Sequence, residues 1–91
     1  MRSVLIIDDD PLIRKTLSGH LSKQGFDVQL AEEGEEGVRK FREFGPDVVI
    51  LDVRLPDLDG LEVLRQIRDL NKKTYVLMMT AYDDMKTTVE A

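Results

Sequence analysis

The sequence predicts an α/β fold: a mainly parallel sheet with helices on both faces, three layers in all. Two runs, Ser3-Val4-Leu5-Ile6-Ile7 and Asp47-Val48-Val49-Ile50-Leu51, are unbroken aliphatic sequence after their first residue and each break off into acids, the pattern of strands buried on both faces. Strand-like and helix-like segments alternate four times along the chain, which implies right-handed crossovers between parallel strands. In such sheets ligands gather beyond the carboxyl ends of the strands. Asp8, Asp9, Asp10 and Asp52 all fall there.

The first strand runs straight into Asp8-Asp9-Asp10-Pro11. Proline suits the first turn of a helix, where its missing N–H is no loss, and Asp10 before it is an N-cap. The helix that follows carries Ile13, Leu17 and Leu21 at intervals of four, and Gly25 ends it in the manner of a C-cap. A second strand is expected over residues 26–31 and a second helix over 32–44, with Val38, Phe41 and Phe44 inward. Gly34 and Gly37 weaken that helix, each costing roughly 1 kcal/mol against alanine. Its acids, Glu32, Glu33, Glu35 and Glu36, read as a solvated face at the positive helix end. Gly45-Pro46 stops it, and the third strand ends at Asp52. Residues 54–60 form a loop rich in Asp and Gly turn chemistry. Leu61, Leu64, Ile67 and Leu70 mark a third helix reaching about Asp69. Residues 74–79 read as a fourth buried strand ended by Thr80, and Asp83-Asp84 as the cap of a fourth helix.

Ninety-one residues permit one small domain. With 13 Lys and Arg against 18 Asp and Glu, the net charge of -5 argues against nucleic-acid binding by this segment, or adhesion to an anionic membrane surface. No cysteine is present, so disulfides, thiolate metal sites and cysteine nucleophiles are excluded. The opening apolar run is too short for a signal peptide and no run approaches transmembrane length, so a cytoplasmic location is expected.

Carboxylates gathered at strand ends repel one another unless a cation intervenes. Oxygen donors without histidine or cysteine favour magnesium or calcium, with manganese as a further option; Mg2+ is the expected cation. Asp9 and Asp52 offer direct ligands, Asp8 a ligand through water, and Arg54 its backbone carbonyl. Helix capping explains Asp10 but not Asp52, which has no helix start until Gly60. A carboxylate such as Asp52 can attack a phosphoryl group to give an acyl phosphate, and the hydroxyl of Thr80 could serve another phosphoryl oxygen. His20 has Thr16 and Lys23 as helical neighbours and reads as a solvated surface residue.

The segments Val4 through Pro11, Val48 through Gly60 and Met79-Thr80-Ala81-Tyr82 together resemble, in order and spacing, the CheY-like receiver domain of bacterial two-component response regulators. The loop Leu55-Pro56-Asp57-Leu58-Asp59-Gly60 is the most specific of these signatures. The resemblance implies a flavodoxin-like receiver fold with Asp8 and Asp9 as the acidic pair at a Mg2+ site and Asp52 as phosphoacceptor. It further implies the Arg54 carbonyl as a metal ligand, and Thr80 as the hydroxyl that moves toward the phosphoryl group. It implies phosphate taken from a histidine kinase or a small donor such as acetyl phosphate, self-assisted phosphorylation and dephosphorylation without metabolic catalysis, and an output domain in a longer parent protein. Tyr82 lies where the family rearranges on activation. Residues 83–91 also resemble receivers that precede an ATPase module activating transcription.

The family's receivers have five strands and five helices, whereas residues 1–91 read as an incomplete receiver that stops within the fourth helix and lacks the fifth strand and fifth helix. No lysine here matches the phosphate-contacting lysine of that fifth strand: Lys86 stands in the wrong motif, and Lys72 and Lys73 precede the fourth strand. An uncovered fourth-strand edge and apolar sheet face are expected, inviting self-association. The alternative function is therefore a non-phosphorylated receiver acting as an interaction or dimerisation module. An aspartate-nucleophile phosphatase fits poorly, since Arg54 stands where such enzymes place a second acid. A Rossmann nucleotide site fits poorly too, for want of a glycine-rich turn after the first strand.

Overall fold

The computed structural model describes residues 2–79. Thr80, Tyr82 and the fourth helix expected from Asp83 lie outside them. The order is β1 (Ser3–Ile7), α1 (Pro11–Lys23), β2 (Asp27–Ala31), α2 (Gly34–Phe44), β3 (Val48–Asp52), α3 (Gly60–Leu70) and β4 (Tyr75–Met79). All strand pairs are parallel and the sheet order is β2-β1-β3-β4, so the winding direction reverses between β1 and β3. No helix of the described residues is long and apolar enough to cross a membrane.

Alternation along the two central strands divides the core. Leu5, Ile7, Val49 and Leu51 face Val38 and Phe41 of α2 and Val63 and Ile67 of α3. Val4, Ile6 and Ile50 face the other way, where Leu17 and Leu21 of α1 cover them with Phe26 and Val28. β1 and β3 are thus buried on both sides, as their unbroken apolar sequences require. Three layers result, with α1 on one face and α2 and α3 on the other.

Several helix positions differ from the expected ones. In α3 the fully buried apolar side chains are Val63 and Ile67, while Leu61 and Leu70 are exposed; in α2 Phe44 is exposed at the last turn. Ile13 is exposed in α1, a helix without any fully buried residue. The fourth strand is only half buried. Val76 and Met78 pack into the α2/α3 core, but Tyr75 and Leu77, pointing to the α1 face, are 66% and 49% exposed because α1 lies over β1 and β2. The expected uncovered apolar face is therefore present among the described residues.

Gly37 does not weaken α2 as its propensity suggests, because the helix needs a hydrogen at that position to approach the sheet. A Cβ there would lie 2.5 Å from Ile7 Cδ1 and 2.8 Å from Ile7 Cγ1, and Ile7 is wholly buried. Gly19, within α1, would meet nothing within 4 Å. Gly37→Ala is accordingly expected to lower unfolding free energy by about 1–2 kcal/mol, overpacking outweighing the gain in helix propensity. Gly19→Ala should raise it by up to roughly 1 kcal/mol. Urea titrations of both variants check the opposite signs.

Candidate functional site

Asp8 stands one residue beyond β1 and Asp52 is the last residue of β3. Because Ile7 pairs with Leu51, the two acids emerge side by side at one end of the sheet. The amide of Asp8 still donates to the Ala31 carbonyl at 3.1 Å, which carries the ladder one step past the strand and keeps its side chain inside. Asp8 is 1% exposed. Its Oδ1 accepts the Asp10 amide at 2.9 Å, turning the chain so that Asp10 in turn caps α1 by accepting the Leu12 amide at 2.9 Å. Carboxylate oxygens of Asp8, Asp9 and Asp52 all lie within 4.8 Å of one another. Asp10 does not join them, in keeping with its capping role.

On the other side of the cluster Asp52 Oδ1 accepts the Arg54 amide at 3.1 Å, and the Val53 amide donates to the Met79 carbonyl at 3.0 Å. The following loop closes on itself. Arg54 and Asp59 form an antiparallel bridge, the Gly60 amide donates to the Val53 carbonyl at 2.8 Å, and Asp59 caps α3 through the Leu61 amide. A Cβ on Gly60 would sit 2.5 Å from Val53 Cα and 2.6 Å from the Asp52 carbonyl oxygen, so only glycine admits this closure. Arg54 is thereby held next to the acids. Thr80, expected at the end of the fourth strand, lies outside the described residues.

The acids form one end of an open cleft of about 680 Å³ whose other wall is α1, including Leu12, Ile13 and Leu17. Two residues to which the sequence assigned no role at the site also shape it. Arg14 donates from Nη1 to the Asp8 carbonyl at 2.7 Å and from Nη2 to Glu32 Oε1 at 3.0 Å, tying the start of α1 to the turn after β2. Asp57 reaches from the loop to the N-terminus of α2, accepting the amides of Gly34 at 2.7 Å and Glu35 at 2.9 Å. Neither contact has a local sequence signal, since each joins segments distant along the chain. Glu36 is also more than part of a solvated face: it accepts the Glu32 amide at 2.7 Å.

Burial, opposed in part by the Asp10 hydrogen bond and reinforced by the neighbouring charges of Asp52, Asp9 and Asp10, pushes the Asp8 carboxyl up from 3.8 to about 6. Burial also raises Asp52, against the pull of the Arg54 amide and with the Asp9 charge adding to the rise. Three crowded carboxylates, no nitrogen or sulfur donor among them, and charges disfavoured by burial and repulsion make a donor set that fits a hard divalent cation.

An acid with a raised folded-state pKa binds its proton more tightly in the folded than in the unfolded chain. The metal-free protein should therefore lose the Asp8 share of stability as pH rises from about 4 through about 6, and lack it above. Asp8→Asn keeps an oxygen for the Asp10 amide and removes the charge. Its unfolding free energy in a chelator should exceed the wild type's by an amount that grows across that window to on the order of 2–3 kcal/mol. Chemical unfolding at a series of pH values measures the difference.

Residues 4–91 match the family described as the response regulator receiver domain. Among curated relatives, the transcriptional regulatory protein TrcR of Mycobacterium tuberculosis is 42% identical over 86 residues; the match takes in 94% of this chain and 34% of TrcR. This chain thus spans about a third of that regulator's length. Among solved structures, a receiver domain protein from Clostridium thermocellum superposes with a TM-score of 0.91 at 30% identity, over 99% of this chain and 73% of that one. The response regulator TrrA of Thermotoga maritima, solved in complex with Mg(2+)-BeF, gives 0.88 at 38% identity, over 96% and 76%. TrrA in complex with the histidine kinase ThkA gives 0.83 at 40%, over 90% and 71%. With its doubly wound parallel sheet and its acids at the point where the winding reverses, the chain belongs to the response regulator receiver domains of two-component signalling systems.

Proposed function

We propose that the chain accepts a phosphoryl group on Asp52 in a Mg2+-dependent reaction and passes the signal to an output domain of a longer parent protein. The observation that carries this reading is the convergence of Asp8, Asp9 and Asp52 within 4.8 Å at the strand ends. Asp8, Asp9, Asp52 and the Arg54 carbonyl would hold the cation, Mg2+ or alternatively Mn2+. A divalent ion held by these residues would supply charge neutralisation for the crowded carboxylates and for the transferring phosphoryl oxygens.

Asp52 supplies the nucleophile. A carboxylate oxygen attacks phosphorus, the bond from phosphorus to the donor's nitrogen or oxygen breaks with its electron pair on the leaving group, and an acyl phosphate remains. Burial raises Asp52 above the ordinary carboxylate value, which disfavours its ionised, nucleophilic form, and a cation held beside it would favour that form. The Arg54 amide, already on Asp52 Oδ1, fixes one carboxylate oxygen and leaves the other for attack. Thr80, next after β4, is proposed to donate its hydroxyl to the phosphoryl group. A histidine kinase is the proposed donor, in keeping with the complex formed by TrrA. The cytoplasm is the proposed location.

A second reading is favoured by one specific feature. Among the described residues β4 pairs only with β3, and its Tyr75 and Leu77 are exposed, so a second copy of the chain is the proposed occupant of that strand and face. The chain would then also act as a dimerisation module, whether or not it is phosphorylated.

Intact-mass analysis after incubation with acetyl phosphate and Mg2+ is expected to show a single phosphoryl adduct, absent in Asp52→Asn and in chelator. An adduct that persists in Asp52→Asn would refute the assignment of the acceptor. For the second reading, light scattering behind size exclusion should report a mass that rises toward a dimer with loading concentration and falls back in Leu77→Lys. A monomer at every concentration would sink it.

A further inference from the structure

The loop that carries Arg54 is anchored at two places. Its base is tied to Asp52 and to the start of α3 by the Arg54 and Gly60 amides and by the Arg54–Asp59 bridge. Its tip is tied elsewhere, to α2, through the two hydrogen bonds from Gly34 and Glu35 to the separate oxygens of Asp57. The first-turn amides of α2 need such a partner, because its own N-cap residue, Glu33, makes no side-chain capping bond. A carboxylate also suits the positive end of the helix. Desolvation pushes the exposed Asp57 carboxyl up, but the hydrogen bonds from Glu35 and Gly34 outweigh it and hold the group below the ordinary carboxylate range.

Packing makes the same connection independently. A Cβ on Gly34 would lie 2.8 Å from Val63 Cγ2 and 3.0 Å from Leu58 Cβ, so the start of α2 lies directly against the loop residue next to Asp57 and against α3. Leu55 and Leu58 both pack on the α2/α3 core. Asp57 is three residues from Arg54, with Pro56 stiffening the intervening chain. Releasing the tip therefore loosens the short segment from which the Arg54 carbonyl is offered.

We propose that Asp57 is a positioning residue for the metal site: by bridging the Gly34 and Glu35 amides it fixes the loop that carries Arg54 beside Asp52. Cation affinity at the strand ends is then set partly from the N-terminus of α2. The inference rests on the reading of the acidic cluster as a Mg2+ site, but Asp57 itself touches neither the cation nor the phosphoryl group. Coupling of this kind is reciprocal, so a cation bound at the acids tightens the Asp57 bridge by the same factor by which the bridge tightens the cation.

The test is Mg2+ titration of the full chain as wild type, Asp57→Ala and Asp57→Asn, followed by amide NMR, with hydrogen exchange of Gly34 and Glu35 read with and without saturating Mg2+. Asp57→Ala is expected to weaken Mg2+ on the order of fivefold, the low end of measured couplings between sites. Asp57→Asn, which keeps an accepting oxygen without the charge, should fall between. Mg2+ should slow exchange at Gly34 and Glu35 in the wild type and leave it unchanged in Asp57→Ala. If Asp57 merely caps α2, the variants melt earlier and exchange faster but bind Mg2+ as the wild type does, and that result overturns the coupling alone. A wild type that takes up no Mg2+ overturns the metal reading and the coupling with it. Should Asp57→Ala fail to fold, the affinity of Asp57→Asn decides between the same outcomes.

Discussion

β1 and β3 are buried on both faces and paired in parallel with Ile7 opposite Leu51, and the placement of everything else follows from that register. Parallel strands end at the same side of the sheet, so the residues that follow them meet there. A shift of one residue would turn the apolar sets of Val49 and Leu51 and of Val48 and Ile50 to the wrong faces. The core therefore fixes the pairing, and the pairing fixes the approach of Asp8 to Asp52. Neither acid has freedom to withdraw, since Asp8 is held by the Ala31 carbonyl and Asp52 is itself part of the ladder, opposite Met79.

That rigidity has an electrostatic cost. Three carboxylates share one strand-end site, and burial and mutual repulsion raise both Asp8 and Asp52. The fold offers some compensation through backbone amides, from Asp10 to Asp8 and from Arg54 to Asp52. Arg14 is spent on the Asp8 carbonyl and on Glu32. An arrangement that leaves its acids strained suits a site completed by a cation, and a purely structural cluster would gain from neutral residues.

The loop after Asp52 shows how a site at strand ends is held by elements far from it. Gly60 permits the loop to close against the Asp52 and Val53 backbone, and Gly34 permits α2 to approach the same loop from outside. Asp57 then links the two. α2 and α3 thus contribute to the site although neither supplies a carboxylate to it, whereas on the α1 face Leu77 and Tyr75 are exposed among the described residues.

The sequence by itself determined the strands, their parallel direction and the acids Asp8, Asp9 and Asp52 at their ends. Unbroken apolar runs ending in acids, and Asp10-Pro11 at a helix start, are local signals whose physics acts within a few residues. It also carried the motifs through Gly60 that mark the receiver family. Helix faces were less legible: Leu61, Leu70 and Phe44 have the apolar character of core residues, but which side of a helix meets the sheet depends on where its neighbours lie, and Val63 won the buried place in α3. The role of glycine in α2 was likewise hidden, because propensity reports the helix alone and the close approach to Ile7 and Leu58 belongs to the packed fold. Only the tertiary structure decided how the loop after Asp52 is held, since the Asp57 carboxylate finds its partners 23 and 22 residues away, at amides that look ordinary in sequence.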